Sequence, residues 1–250
     1  MLILALDTTT RVASCGLARD GVVVREEICD PDRQLAPQLP GALDDLLALA
    51  DVELREIDGF AVATGPGSFT GLRIGIATMQ GLAFAEEKPL IGISGLTALR
   101  AIASPAFLGS RIATWVDAWR GDVYAALYED GRAIGEPVVA KPADLLEELS
   151  RGLQMPSPND ILFIGDGAQT YREVILERLG HAARIAEPVS PHLAGVVAIL
   201  ATIEYKNGHR PAPHAIRPLY VRRTDAEVAR ERRGELSASP LESPAAGRVE

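Results

Sequence analysis

Residues 2–10 read LILALDTTT, an apolar run that ends in Asp7 and three threonines. A short uninterrupted apolar run is typical of a strand that is covered on both faces of its sheet. A β-hairpin is predicted directly after it, because Asp20-Gly21 separates the strand-like runs SCGLAR (14–19) and VVVREE (22–27). Both central residues of such a turn need positive φ, which Asp and Gly tolerate. The chain is therefore predicted to begin with three consecutive strands.

The rest of the first half alternates helices and strands. A helix is predicted over 35–50, followed by the strand GFAVAT (59–64), a helix over 70–86 and the strand PLIGIS (89–94). One face of the first helix carries apolar residues at helical spacing: Leu35, Leu39, Leu43, Leu46 and Ala50.

The second half repeats this order of elements. Three strands are predicted within 111–140, then a helix near 143–151, a strand at 160–167, a helix near 169–179, a short strand and a closing helix over 191–205. Two landmarks recur: an aspartate ends the first strand (Asp7, Asp117), and a glycine turn follows the fourth (Gly65, Gly165). We therefore predict an α/β fold of two βββαβαβ lobes, 1–104 and 105–222. Residues 223–250 lack apolar periodicity and are predicted to form a mobile tail.

Composition excludes several classes of protein. The 250 residues are 47% hydrophobic and 24% charged, as in an ordinary globular protein. No apolar run approaches the roughly 18 residues of a membrane span, and two cysteines make no disulfide framework. A net charge of −9 disfavours tight binding of nucleic acid by this chain alone. A cytoplasmic protein is expected.

The segment GPGSFTGLRIG (65–75) has the glycines of a phosphate-binding loop but not its lysine, since no lysine occurs before Lys88. Ser68 or Thr70 is suited to cap the helix that follows. Arg73 lies in the first turn of that helix, where a positive charge opposes the helix dipole. The pattern favours a structural turn followed by an arginine that faces a partner.

Four segments together resemble the TsaB family of the actin-like ATPase superfamily: ALDTTT, GPGSFTGLRIGIATMQGLAF, LIGISGL and VDAWRGDVYAALY. The resemblance extends from Met1 to about Arg222, and the second segment is its most specific part. It implies a duplicated actin-like (ribonuclease H-like) fold. It also implies a non-catalytic paralogue of TsaD, the subunit that transfers threonylcarbamoyl to adenosine 37 of tRNA.

The resemblance implies partners and a reduced nucleotide site. The partners are a TsaD-like paralogue, a TsaE-like ATPase reached through the complex, and tRNA only within that complex. No cofactor is expected beyond weak ATP or ADP binding at a vestigial set of residues: Asp7, Thr8, Thr9, Gly65, Gly67, Gly165 and Gly167. The alternative for the Asp7 turn is a strand end retained for its own hydrogen bonds.

No metal site or catalytic residue is predicted. In TsaD a His-x3-His pair binds the metal, and the corresponding positions here are Gly95 and Leu99, neither of which is a ligand. A histidine that relatives carry before the first helix is replaced by Gln34. The charges of Asp117, Arg120 and Asp122 are either functional or simply solvated.

A partner surface is predicted on the helices 35–50 and 70–86. The proposed interface residues are Leu35, Leu39, Leu43, Leu46, Gly71, Arg73, Gly75 and Gly81. Glycines within a helix are unfavourable unless another backbone approaches closely, although that backbone could belong to this chain's own sheet. The leucine face is expected to be partly uncovered, so that the isolated protein forms a homodimer through the surface that binds the paralogue.

A free-standing small-molecule kinase or ATPase of the same fold is the alternative. It would use Asp7, Thr8 and the turn at Gly65–Gly71. The subunit hypothesis is favoured because the second lobe is reduced to its scaffold and the first turn carries Thr9 where a working phosphate turn has glycine.

Overall fold

A computed structural model describes residues 1–10, 12–103, 111–152, 161–187 and 192–221. The predicted boundary between the lobes, at 104/105, and the predicted tail, 223–250, lie outside the described residues. Within those ranges no helix is both long and apolar enough to cross a bilayer.

The elements of the two halves follow one another in the same order. The first half contains β1 (Leu2–Asp7), β2 (Ser14–Arg19), β3 (Val22–Ile28), α1 (Leu35–Leu49), β4 (Gly59–Ala63), α2 (Phe69–Ala85), β5 (Leu90–Ile93) and α3 (Gly95–Ala103). The second half contains β6 (Arg111–Asp117), β7 (Val123–Glu129), β8 (Arg132–Ala140), α4 (Pro142–Gly152), β9 (Ile161–Ile164), α5 (Asp166–Thr170), α6 (Arg172–Leu179), β10 (Ala183–Ile185) and α7 (Ala194–Lys206).

The predicted duplication is confirmed by the two sheets. The first has the order β3-β2-β1-β4-β5 and the second the equivalent order β8-β7-β6-β9-β10. In each sheet the central strand pairs antiparallel with the next strand and parallel with the fourth. All six residues of β1 are buried, as its apolar run predicted. The first hairpin turns through Asp20 and Gly21 at φ 55° and 90°.

Two predicted elements differ from the structure. The helix expected over 169–179 is two helices, because the chain breaks at Tyr171, whose backbone (φ −107°, ψ 23°) is not helical. The nine-residue helix α3 follows β5 in the first half, where the sequence left a closing helix open and predicted one at least for the second half.

The last helix of each half packs against the sheet of the other half. Helix α3 contacts β6, β7 and β9 of the second sheet, whereas α7 contacts all five strands of the first sheet. The two helices also contact each other. The core between the sheets therefore draws on both halves, including Ile3, Ile93, Leu99, Val116 and Val197.

Helix α7 lies directly on the backbone of β2. A Cβ atom on Gly16 would lie 2.7 Å from the Gly195 nitrogen. The N-terminus of α7 is capped from the first sheet: Ala194 N–H donates to Ser14 Oγ (3.2 Å) and Gly195 N–H donates to the Glu26 carboxylate (2.8 Å). A carboxylate at this end of a helix complements its dipole, so these contacts join the second half to the first.

The segment after α7 returns across the first lobe. Leu90 N–H donates to Pro211 O, and Leu219 N–H donates to Thr64 O at 2.7 Å. The Gln80 side chain of α2 donates to the carbonyl oxygens of Pro213 and Ile216. Residues 211–221, which we call the C-terminal strap, are thereby fixed against α2 and β5.

Gly16→Ala is expected to lower the free energy of unfolding by about 1–3 kcal/mol, because the added methyl must push α7 away from β2. Gly41→Ala is the matched control. A Cβ atom there meets nothing within 4 Å, and alanine in a helix interior is favoured by roughly 0.5–1 kcal/mol. Urea unfolding of both variants measures the difference. Equal stabilities would contradict the close approach of α7.

Candidate functional site

The turn after β1 forms a closed network of hydrogen bonds. Thr9 donates its N–H (2.8 Å) and its hydroxyl (2.6 Å) to Asp7 Oδ1, and the Thr10 hydroxyl donates to Asp7 Oδ2 (3.0 Å). Asp7 is fully buried. Burial raises the pKa of Asp7 above its ordinary 3.8, and the bonds from Thr9 and Thr10 offset part of that rise. The carboxylate is therefore directed into its own turn.

The glycine turn at 65–71 packs onto this first turn. Gly65 has φ +102°, a backbone conformation that favours glycine. Ser68 N–H donates to Thr9 O at 3.0 Å, and a side chain on Gly67 would overlap that same carbonyl. Ser68 also caps α2 by accepting from Gly71 N–H. The N–H of Ser68, which a phosphate would need, is thus used within the chain.

The glycine row of α2 divides into two kinds of position. Gly71 and Gly75 are buried against Thr8, whose hydroxyl donates to Gly71 O at 2.8 Å and would overlap a side chain on Gly75. Gly81 is exposed, and a Cβ atom there meets nothing within 4 Å. The close approach at these two positions is therefore made by this chain itself, by the Thr8 carbonyl oxygen at Gly71 and by the Thr8 side chain at Gly75.

The second lobe has an equivalent turn. Gly165 has φ +113°, and a Cβ atom there would overlap Trp115 O. On Gly167 a Cβ atom would lie 3.0 Å from Asp117 N. Asp117 N–H donates to the Asp166 carboxylate (3.0 Å), and burial raises the pKa of Asp166. In each lobe, the space in front of the glycine turn is therefore filled by the chain at the end of the neighbouring central strand.

Helix α3 lies between the two turns. Gly95 N–H donates to Gly65 O at 2.9 Å, and a Cβ atom on Gly95 would lie 3.5 Å from Thr9 Oγ1. One helical turn later, Leu99 Cδ1 is 3.1 Å from the Cβ position of Gly165. The two positions at which TsaD is expected to carry its histidines are therefore buried beside these turns. In the described part of the chain no three His, Cys, Asp or Glu side chains are grouped to hold a metal ion.

The turn between β6 and β7 is tightly held. Trp119 N–H donates to Asp117 Oδ1 (3.0 Å) and Asp122 N–H donates to Trp119 O (3.2 Å). Trp119 and Arg120 both have positive φ, at 55° and 58°. The Asp117 carboxylate therefore has a structural task in this turn, and a functional role for the charges of Asp117, Arg120 and Asp122 stays a prediction.

A groove of about 430 Å³ opens beside the first turn. Gln34, at the position where relatives carry histidine, lines it together with Thr8, Thr10, Ser68 and Arg33. Gln34 is exposed, and its carbonyl oxygen accepts from the Gln38 side chain (3.3 Å). The groove offers hydroxyls and a guanidinium, but it lies outside the buried Asp7 network.

The expected exposure of the α1 leucine face is wrong. Leu39, Leu43 and Leu46 are buried in the core of the first lobe, and Leu35 is half-buried against it. The reason is that α1 lies flat on β2 and β3, so its leucines cover this chain's own sheet. Leu39, Leu43 and Leu46 are therefore not available to touch a partner.

The outer surface of α1 and α2 is nevertheless short of charge. We call it the α1–α2 surface; its exposed residues include Pro37, Gly41, Asp44, Asp45, Ala48 and Leu49 on α1, and Thr70, Arg73, Ala77, Gly81 and Phe84 on α2. Arg73 is the one charged residue in the seventeen of α2. Phe84 is 79% exposed and Leu49 58%. The exposed face of a solvated helix normally carries charged and polar residues.

Comparison with known proteins agrees with this architecture. The family model described as "TsaD: tRNA N6-adenosine threonylcarbamoyltransferase" matches residues 29–230. A curated relative, the tRNA threonylcarbamoyladenosine biosynthesis protein TsaB of Escherichia coli, is 32% identical over 228 residues, which are 89% of this chain and 95% of that protein. The chain belongs to the TsaB family.

Solved structures support both the TsaB assignment and the fold. YeaZ from Pseudomonas aeruginosa superposes with a TM-score of 0.68 at 29% identity, covering 88% of this chain and 99% of that chain. Component A of (R)-2-hydroxyglutaryl-CoA dehydratase from Acidaminococcus fermentans superposes at 0.51 with 13% identity, covering 82% and 98%, which concerns the fold alone. The predicted duplicated actin-like fold is confirmed.

Sequence reasoning missed two aromatic residues beside Arg73, one at the start of α2 and one in the C-terminal strap. The Phe69 and Tyr220 rings lie 5.5 Å apart, and the Arg73 guanidinium carbon lies 4.1 Å from the centre of the Phe69 ring. No local pattern joins residues this far apart in the chain. Tyr220 lies in the segment HAIRPLYVR (214–222), at the end of the stretch that resembles TsaB, but that segment does not indicate a contact with Phe69.

Asp7→Asn is expected to increase stability at pH 7. The amide oxygen of the new asparagine can accept both bonds from Thr9, and its NH2 can donate to Thr10 Oγ1. The Thr10 hydroxyl can then donate to Val12 O, which already lies 3.0 Å away. Because the pKa of Asp7 is raised, the folded state retains the proton to higher pH than the unfolded chain. The wild type therefore loses stability as pH rises from the ordinary aspartate pKa through the raised one.

Urea unfolding between pH 4 and pH 7 measures this effect. The slope with pH should be smaller in Asp7→Asn, whereas exposed Asp32→Asn should keep the wild-type slope. An Asp7→Asn protein that is less stable than the wild type at pH 7 would refute the argument.

Proposed function

We propose that this chain is a non-catalytic subunit of the complex that makes threonylcarbamoyladenosine at position 37 of tRNA. In this role it binds and stabilises a metal-bearing, TsaD-like paralogue through the α1–α2 surface. A TsaE-like ATPase and tRNA would be reached through the complex. The TsaB relatives are named tRNA threonylcarbamoyladenosine biosynthesis proteins, which supports a role in this pathway.

The observation that carries the proposal is the uncovered, almost uncharged outer face of α2. Its exposed positions include Ala77, Gly81 and Phe84, and small residues allow a second helix to approach closely. An apolar patch of this kind, rimmed by polar residues, is typical of a protein–protein contact. Because its small residues face outward, the patch is suited to helix packing by either the paralogue or a second copy of this chain.

The buried turns support a role without catalysis. Asp7 and Thr9 are bonded to each other, Ser68 N–H is bonded to Thr9 O, and Gly95 is buried beside them. Phosphate binding at this turn would require these bonds to break. This favours a subunit over a free-standing kinase or ATPase, for which an open turn and an accessible aspartate are needed.

Co-purification with the TsaD-like paralogue, followed by assay of each protein alone and both together, tests the proposal. Transfer of threonylcarbamoyl to adenosine 37 should require the paralogue and be raised by this chain when the other components are present. Lack of association, together with no effect on transfer, would overturn it.

The isolated protein is expected not to hydrolyse ATP and to hold no stoichiometric metal. The reason is that the donors of the first turn are already bonded and Gly95 and Leu99 offer no ligand atoms. Metal analysis and a phosphate-release assay check this. ATP hydrolysis above background that is lost in Asp7→Ala would contradict this expectation and favour the kinase or ATPase hypothesis.

Gly81→Leu should weaken association with the paralogue while leaving the melting temperature equal or higher, because leucine is a better helix former than glycine. Gly75→Leu should instead lower the melting temperature, since its side chain would overlap the Thr8 hydroxyl. Glu177→Leu on exposed α6 controls for an added surface leucine.

Titration calorimetry below the melting temperature separates these effects. If Gly81→Leu binds the paralogue with the affinity of the Glu177→Leu control, α2 does not form the interface.

A further inference from the structure

The charge of this chain is unevenly distributed along the sequence. It has 34 acidic residues in 250 and a net charge of −9, yet residues 205–224 contain no aspartate or glutamate. The same segment contains five arginines and lysines and two histidines. The structure describes it as far as 221, as the end of α7 and the C-terminal strap. A locally basic surface is therefore present on a protein whose average charge is acidic.

The C-terminal strap lies along β5, the edge strand of the first sheet. Leu90 N–H, at the start of β5, donates to Pro211 O at 3.3 Å. At the other end of the strand Leu219 N–H donates to Thr64 O, and Thr64 N–H in turn donates to Ile93 O. The strap therefore follows the four residues of this strand, a distance of roughly 10 Å at about 3.3 Å per residue.

Three permanent cations lie on this surface. Lys206, Arg210 and Arg217 are exposed, and no carboxylate in the described part of the chain lies within ion-pair distance of any of them. The exposed side chains of His209 and His214 lie between them in sequence. We call Lys206, Arg210 and Arg217 the strap cations.

Arg210 is held on an aromatic ring. Its guanidinium carbon lies 4.3 Å from the centre of the Tyr205 ring. That ring is itself closely packed, since a Cβ atom on Gly59 would lie 3.2 Å from two of its carbons. Stacking on an aromatic face leaves the edge of the guanidinium, with its N–H groups, open to an oxyanion. The side chain is therefore oriented before a ligand arrives.

Arg217 is held by backbone carbonyl groups instead. Its Nη1 donates to His214 O (2.5 Å) and to Ile216 O (3.2 Å). The Gln80 side chain of α2 also donates to Ile216 O, which fixes the strap beside Arg217. Bonds to carbonyl oxygens orient the guanidinium without neutralising its charge, and its five donors leave others for a ligand.

We propose that the strap cations bind the phosphate backbone of RNA. The inference rests on the proposed function, under which this RNA is the tRNA held by the complex. One strand of a nucleic-acid duplex carries a phosphate per about 3.4 Å of its axis, so a segment of roughly 10 Å faces about three phosphates. The acidic remainder of the chain repels RNA, which directs the RNA to this edge of the first lobe.

An acidic protein is a poorer match for these side chains. The strap cations follow a line along one edge of the sheet, and the phosphates of one strand repeat along a line, whereas carboxylates on a protein surface have no regular repeat. Three cations give only modest affinity, because nucleic-acid binding draws on many phosphate contacts together. Binding is therefore expected when this surface acts together with the paralogue, in agreement with the net charge of the chain.

Removal of the three charges tests the contact. In the complex with the paralogue, Lys206→Gln combined with Arg210→Gln and Arg217→Gln should raise the dissociation constant for tRNA about tenfold. It should also lower the slope of log affinity against log salt by about two, because each lost phosphate contact contributes about 0.7–0.9. Phosphate contacts carry no sequence information, so a tRNA without adenosine 37 should lose as much affinity. Filter binding across a salt series measures this, and the variant should melt like the wild type because all three side chains are exposed.

Two further variants serve as controls. Lys141→Gln combined with Arg132→Gln and Arg178→Gln removes one lysine and two arginines from exposed positions of the second lobe. This control variant has the same net charge as the triple variant, and its tRNA affinity and salt dependence should equal those of the wild type. Arg210→Lys combined with Arg217→Lys should stay within about threefold of the wild type, because the positive charges remain.

Crosslinking locates the RNA directly. A photo-crosslinking residue in place of His214, irradiated with labelled tRNA, should give an adduct in the complex and, at low salt, in the isolated chain. The same residue in place of Arg132, on β8 of the second lobe, should give none. Adducts of equal yield at both positions would mean that RNA has no preferred site on this chain.

The outcomes separate this inference from the proposed function. Equal tRNA binding by the triple variant and the control variant overturns the inference alone, whereas transfer that still needs this chain keeps the proposed function. If the triple variant loses its association with the paralogue, the strap cations bind an acidic protein and the inference is refuted. If the wild type itself does not associate with the paralogue, the proposed function fails. Crosslinking of the isolated chain in place of His214 then decides whether the strap binds RNA.

Discussion

The exchange of helices between the two sheets is the constraint on which the rest of the structure depends. Helix α3 packs on the second sheet and α7 on the first, so neither half can bury its central strand without the other. The glycine at position 16 permits this, because α7 lies on the backbone of β2 and its N-terminus is capped by Ser14 and Glu26. Two lobes of similar topology are thereby joined through one core, and the space between them is filled by the helices that join them.

The close packing of these helices limits ligand binding at the carboxyl ends of the strands. In an open sheet of this kind, ligands bind beyond the carboxyl ends of the strands. Here the Asp7 turn, the Gly65 turn and the start of α3 lie in contact with one another, and their donors include several that are bonded within the chain. The Gly165 turn contacts Leu99, one helical turn further along α3. The buried Asp7 carboxylate, whose pKa is raised by burial, is an unfavourable feature of this arrangement that its hydrogen bonds only partly offset. Under the proposed function, the transfer chemistry is expected to be carried out by a partner.

The outer surface of the first lobe exposes small and apolar side chains that the described part of this chain does not cover. The leucines Leu39, Leu43 and Leu46 face inward onto the sheet, and what remains outside is a set of small residues and a few large apolar side chains. Three charges, those of Asp44, Asp45 and Arg73, also lie there and form no ion pair with the described part of the chain. The C-terminal strap ties this surface to the end of the chain, because Tyr220 reaches Phe69 and Arg73 only after crossing β5 and α2. A partner bound there would contact elements from both ends of the sequence.

The sequence by itself determined the elements, the duplication and the family, because these depend on local periodicity, on turn residues such as Asp20-Gly21, and on contiguous motifs. It also placed glycines at 67, 71 and 75 without deciding what approaches them. Only the tertiary structure decided that Thr8 and Thr9 do so, that Leu39, Leu43 and Leu46 face this chain's own sheet, and that Gly81 alone of the tested glycine row is open. A helical pattern specifies which residues share a face, but which surface covers that face depends on contacts between segments far apart in the chain. For the same reason the support of Arg73 by Tyr220 had no signature in the sequence.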